Sequence, residues 1–238
     1  MSAVPRQILS DQMRLLAFRA TSAGPAIHWR AYLAYGLVVT WLAGIGRYWD
    51  NPRASLWQHA GLGSVAYVLV LALLLWVLML PLRPQRWSYR NVLVFVTLTS
   101  LPALLYAIPV ERFMTLPAAQ QANIWFLAVV ASWRVALLLV FLRRVAALSW
   151  AAVVVAGLLP LTLIVTALWM LNLEHVVFDL MGGLQPSQES SADGAYAVLT
   201  VITLVSVIAF PLLLLAYLAL ALTYWLGRPL DSEGRRLR

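Results

Sequence analysis

The chain has 238 residues, 63% hydrophobic and 11% charged, where a soluble domain runs at roughly 45–50% apolar and about 25% charged. That excludes an ordinary water-soluble fold, and the absence of Cys excludes disulfides, thiolate metal sites and thiol catalysis. The net charge is +8 and all 17 basic residues are Arg. They punctuate apolar runs instead of gathering into a basic domain, so nucleic acid is not an expected partner.

The N-terminal segment, 1–30, has no signal-peptide pattern and is expected to stay uncleaved. Within it, residues 5–20 suit an amphipathic helix, with Leu9, Met13 and Leu16 on one stripe and Arg6, Arg14 and Arg19 off it. Such a helix would lie on the cytoplasmic leaflet, each arginine gaining about 1 kcal/mol from anionic headgroups. A solvated basic lead-in accounts for the same residues equally well.

Six apolar runs then follow, each a candidate span by the rule of roughly 20 apolar residues: 31–46, 60–82, 91–109, 124–142, 145–172 and 196–226. The last two exceed the minimum and must tilt, kink or protrude. The expected fold class is therefore all-α, a polytopic transmembrane helix bundle of about six spans, with the transmembrane domain at 31–226 and a short tail at 227–238. Segments 1–30, 83–90, 143–144 and 228–238 hold 13 arginines, the alternate connections hold three, and Arg134 lies inside a span. By the positive-inside rule both termini are cytoplasmic.

No Asp or Glu falls inside any span, which argues against a proton-coupled pump. Arg134 is the exception in charge, near the centre of the fourth span, where insertion scales assign it a cost of about 2.5–3.5 kcal/mol. It either snorkels to an interface or holds an acceptor: a freed carbonyl, a hydroxyl, water, or an anion such as a lipid phosphate. Pro102, Pro160 and Pro211 lie inside the third, fifth and sixth spans. Each frees the carbonyl four residues earlier, so kinks are expected there, with Thr97, Thr99, Ser100, Thr162, Thr166, Thr200, Thr203 and Ser206 nearby. Kinked helices with polar necks line cavities in some membrane proteins, and in others they merely pack.

The 173–196 connection is the most polar part of the chain. Residues 173–184 read as an interfacial helix on the external face, with His175 and Asp179 four apart and Glu174 one step round. His with carboxylates can hold a divalent metal. No third ligand has a recognisable spacing, however, and a polar stripe explains the cluster, so no metal and no cofactor is assigned. Gly61-Leu62-Gly63-Ser64 does not match the G-x-S-x-G order of a nucleophile turn and reads as small residues for close helix packing.

The stretch from about Asp50 to Pro160 resembles the bacterial branch of the Yip-type family of multi-pass membrane proteins. The resemblance rests on Asp50-Asn51-Pro52 before a span, Ser100-Leu101-Pro102 and Ile108-Pro109 in one hairpin, and Ile124-Trp125 opening the next span. It implies a small helical membrane protein with a cytoplasmic N-terminus and no established catalysis, and no functional residue is carried over from it. The expected location is a bacterial inner membrane. The expected function is a non-enzymatic scaffold or accessory subunit, with the lipid bilayer, anionic lipids at the cytoplasmic face and a membrane protein as partners. The alternative is a small transporter or channel for an anionic or lipid-like substrate, built around Arg134. An intramembrane enzyme with an external site comes third.

Overall fold

A computed structural model describes residues 3–49, 55–171 and 193–226. Every element among them is helical. In chain order these are α1 (Ala3–Leu16), α2 (Gly24–Ile27), α3 (Trp29–Tyr48), α4 (Leu56–His59), α5 (Leu62–Met79, with a 3-10 turn at Leu80–Leu82) and α6 (Tyr89–Leu98). Two 3-10 segments follow, Leu101–Ala107 and Val110–Arg112. Then come α7 (Leu116–Arg144), α8 (Trp150–Met170) and α9 (Asp193–Leu226).

The starts have local causes. Ser88 and Ser149 accept the backbone N–H of Asn91 and Ala152 and so cap α6 and α8. Proline occupies the first turn of α7, where its missing N–H costs nothing. The end of α1 is a Schellman turn: Phe18 N–H donates to the Leu15 carbonyl and Arg19 N–H to that of Arg14.

Four helices are long and apolar enough to cross a membrane: Leu62–Leu82, Pro117–Arg144, Trp150–Met170 and Thr200–Leu226. A fifth results if Tyr89–Leu98 and Leu101–Ala107, bent by about 40° at their junction, are one span. At about 1.5 Å per α-helical and 2.0 Å per 3-10 residue, the two pieces together reach roughly 29 Å. That is close to the hydrocarbon thickness of about 30 Å. α3 occupies the first expected run but falls short in apolarity, because Arg30 and Arg47 stand near its ends and Tyr32, Tyr35, Thr40 and three glycines interrupt it. The residues it buries are mostly these polar and small ones.

α6 forms the centre. Every residue from Val92 to Ser100 is buried, against α3 on one side and α5 on another. α3 reaches it closely because Gly36 has no side chain: a Cβ there would sit 2.4 Å from Thr97 Oγ1. α3 meets α5 in the same way. Gly61 adopts φ +67 at the start of α5, and a Cβ on Gly44 would come within 2.8 Å of its carbonyl oxygen. Gly61 and Ser64 of the 61–64 run thus serve helix packing, whereas a Cβ on Gly63 would meet nothing within 4 Å among the described residues. α8 packs against α7 and α9, and Phe95 stacks on Phe141 of α7 with ring centroids 4.0 Å apart.

The kinks differ from expectation in kind. α8 and α9 continue as helices through Pro160 and Pro211. The third run breaks outright at Thr99–Ser100, just before Pro102, and resumes as a 3-10 helix.

The stripe expected on the N-terminal helix is only partly realised. Leu9 and Met13 are exposed, but Leu16 is buried together with Ile8, Asp11 and Gln12. Residues 8, 11, 12 and 16 form their own helical row, and that row fits the bundle because its polar members find partners there.

The expected same-side connections meet one another. Gln85 N–H donates to the Ala146 carbonyl at 2.9 Å, and Arg144 donates to the Phe18 carbonyl at 2.6 Å. Arg90 lies over Trp29 and Arg83 over Trp225, 5.3 and 4.2 Å from the ring centroids. At the other ends of the helices, Arg47 lies over Tyr106 and Arg112 over Trp49.

Candidate functional site

Glu174, His175 and Asp179, with the whole 173–184 segment, lie outside the described residues, as do Asp50 and the tail. Among the described residues no group of three His, Asp or Glu side chains is placed to hold a metal. His59 ends the short helix α4 and His28 caps α2.

Arg134 is described and half-buried. It sits ten residues before the end of α7, about 15 Å along the axis. It lines a cavity of about 230 Å³ at the level of the α6 break. α5 contributes Tyr67 and Leu71, α6 contributes Phe95, the break contributes Thr99, and α8 contributes Pro160 and Ile164. Tyr106, from the 3-10 half of the broken run, completes the polar part. The break at Thr99–Ser100 turns the chain, so that Thr99 and Tyr106 reach the same cavity.

Donors outnumber acceptors in this cavity. Among the described residues, the Arg134 guanidinium and the Tyr67 and Tyr106 phenols make no hydrogen bond. A guanidinium is donor-only and permanently charged. The Thr99 hydroxyl already donates to the Val96 carbonyl at 2.8 Å. No carboxylate lines the cavity, and its remaining walls are mostly aliphatic.

Of the other hydroxyls near the prolines, Thr166 Oγ1 is buried with no hydrogen-bond partner among the described residues, while Thr97 and Thr162 serve backbone. Thr97 donates to the Leu93 and Val94 carbonyls, and Thr162 to those of Leu158 and Leu159. Ser100 Oγ is 2.9 Å from Thr40 Oγ1, which ties α3 to the break. Of the three proline sites, Pro160 lines the cavity, Pro102 sits at the break beside it, and Pro211 stays away.

A second polar centre was hidden in the N-terminal segment. Asp11 is 1% exposed. Its Oδ1 accepts the Ser22 N–H at 2.8 Å, and its Oδ2 accepts the Ser22 hydroxyl at 2.5 Å and the Tyr32 phenol at 2.6 Å. Burial by itself pushes the Asp11 carboxyl up. The hydrogen bonds from Ser22 and Tyr32 and the nearby charge of Arg14 outweigh it and hold the group below the usual carboxylate range. Gln12 donates to the Leu98 carbonyl at 3.0 Å and accepts the Tyr35 phenol at 2.5 Å. Trp133, next to Arg134, donates to the Leu16 carbonyl at 2.9 Å. The i, i+3, i+4 row of Ile8, Asp11, Gln12 and Leu16 was the available signal, but its two polar members read as solvent-facing.

No family model, curated protein or solved structure matches the chain.

Proposed function

We propose that this chain is an integral protein of a bacterial inner membrane with six spans and both termini cytoplasmic. It binds an anionic, lipid-like substrate at Arg134 in the manner of a small transporter. The observation that carries the reading is the cavity in which one unpaired guanidinium and two unpaired phenols face aliphatic walls. An unpaired cation at that depth is costly, and a bound anion relieves the cost.

The topology draws support from the meeting of the arginine-rich connections. α3 is counted as a span on this reading because it packs against α6, the 3-10 segment Leu101–Ala107 and α5. The exposed surface of α9, including Leu212, Leu215 and Leu222, suits lipid. The arginines of the N-terminal segment suit the anionic headgroups of the cytoplasmic leaflet.

The test is a thermal-shift comparison in nonionic detergent. Phosphatidylglycerol should stabilise the wild-type protein and leave Arg134→Leu unshifted. Equal stabilisation of both contradicts the reading. A scaffold or accessory role makes a different prediction: a stoichiometric membrane-protein partner after purification in mild detergent.

A further inference from the structure

We infer that the Arg134 cavity selects a monoanionic amphiphile: one head with two equivalent acceptor oxygens, a carboxylate or a phosphodiester, on an apolar tail that slides in sideways from the bilayer. This rests on the reading of Arg134 as an anion-holding residue and adds the charge, shape and route of the ligand.

The charge follows from counting. Arg134 is the one charged side chain among the residues that line the cavity, and Arg47 lies on the Tyr106 ring outside that lining. In a low-dielectric site a monoanion leaves a neutral pair, whereas a dianion leaves one charge uncompensated. The head follows from the donors. The guanidinium fork presents parallel N–H groups that match two oxygens of one head. The Tyr106 and Tyr67 phenols add further donors, while the spent Thr99 hydroxyl offers only lone pairs. A head that also carries a cation, as phosphatidylcholine does beside the same phosphodiester, finds no carboxylate in the lining to pair with it.

The tail and the route follow from the walls. Leu71, Phe95 and Ile164 line the apolar part. At about 230 Å³ the cavity is smaller than a typical ligand pocket of about 300 Å³ or more. It therefore holds the head and the first part of a chain, and the rest lies outside. Tyr67 and Leu161 line the cavity yet are 52% and 37% exposed. Val70, one turn beyond Tyr67, is exposed too. The mouth therefore opens on the outer, apolar surface of the bundle, where lipid would lie.

Binding of four probes to the full chain in nonionic detergent tests this: oleate, dioleoyl phosphatidylglycerol, dioleoyl phosphatidylcholine and inorganic phosphate. Oleate or phosphatidylglycerol should bind at least about tenfold more tightly than phosphatidylcholine, and inorganic phosphate should not bind at millimolar concentration. The tighter of the first two identifies the head as carboxylate or phosphodiester. Tyr106→Phe keeps the ring beneath Arg47 and removes only the hydroxyl, so it should weaken the preferred probe by about three- to tenfold. Phosphate binding as tightly as either amphiphile overturns the inference and leaves Arg134 as an anion site. Phosphatidylcholine binding as tightly as the two anions, or neither anion binding, also overturns it. Unchanged oleate and phosphatidylglycerol affinity in both Arg134→Leu and Arg134→Lys overturns the underlying reading as well.

Discussion

The side-chain amide of Gln12 donates to the carbonyl of Leu98 at 3.0 Å, and Leu98 stands four residues before Pro102. An uninterrupted helix would tie that carbonyl to the N–H of residue 102, which proline lacks. The N-terminal helix thus supplies the donor that the broken run is missing, 86 residues away in sequence. Gln12→Leu should cost about 1–3 kcal/mol, the range for leaving a buried polar group unpaired. Pro102→Ala restores a donor to the run. The Gln12→Leu loss should therefore be smaller in the Pro102→Ala background, a coupling that thermal unfolding of the four proteins in detergent measures. Equal losses in both backgrounds contradict the link.

Asp11 gives a pH dependence with a definite sign. Its folded carboxyl lies below the usual carboxylate range, so it stabilises the fold above the unfolded value of about 3.9. That stabilisation is lost as pH falls through the lower folded value. Asp11→Asn should be less stable than wild type at pH 7 by about 1.5–3 kcal/mol, the range for hydrogen bonds to a charged group. The gap should close as pH drops below about 4. Thermal unfolding between pH 3 and 7 checks this, and a gap that widens on acidification contradicts it.

The sequence disclosed α5, α8 and α9 plainly, because long unbroken apolar runs have one physical reading. It disclosed a bend near Pro102 but not the outright break or the 3-10 helix beyond it, which depends on how Leu101–Ala107 packs on α3. Asp11 and Gln12 were illegible for a different reason. A polar side chain in a basic lead-in looks solvated until its partners, Tyr32, Tyr35 and Leu98, are brought beside it by tertiary contacts. Arg134 stood out on charge alone, while nothing in their own runs marks Tyr67 and Tyr106 as its neighbours in one cavity.

Topology is tested by reporter fusions at Gly183 and Arg238. Six spans with cytoplasmic termini place the two on opposite sides of the membrane, with Arg238 cytoplasmic. Both reporters on one side contradict the proposed map.

The Glu174, His175 and Asp179 cluster is expected to be a polar stripe and not a metal centre. Elemental analysis of the purified protein should find no stoichiometric zinc or manganese. Metal present at one equivalent in wild type and gone in His175→Ala contradicts that reading.

The central claim is that Arg134 holds an anion inside the bundle, and native mass spectrometry of wild type, Arg134→Lys and Arg134→Leu in the presence of anionic lipid tests it most directly. Lysine keeps the charge but loses the planar fork. Wild type should carry bound anionic lipid, Arg134→Lys should retain less, and a folded Arg134→Leu should retain none. Equal lipid retention across all three, with Arg134→Leu as stable as wild type or more so, contradicts the claim and makes Arg134 a residue that snorkels.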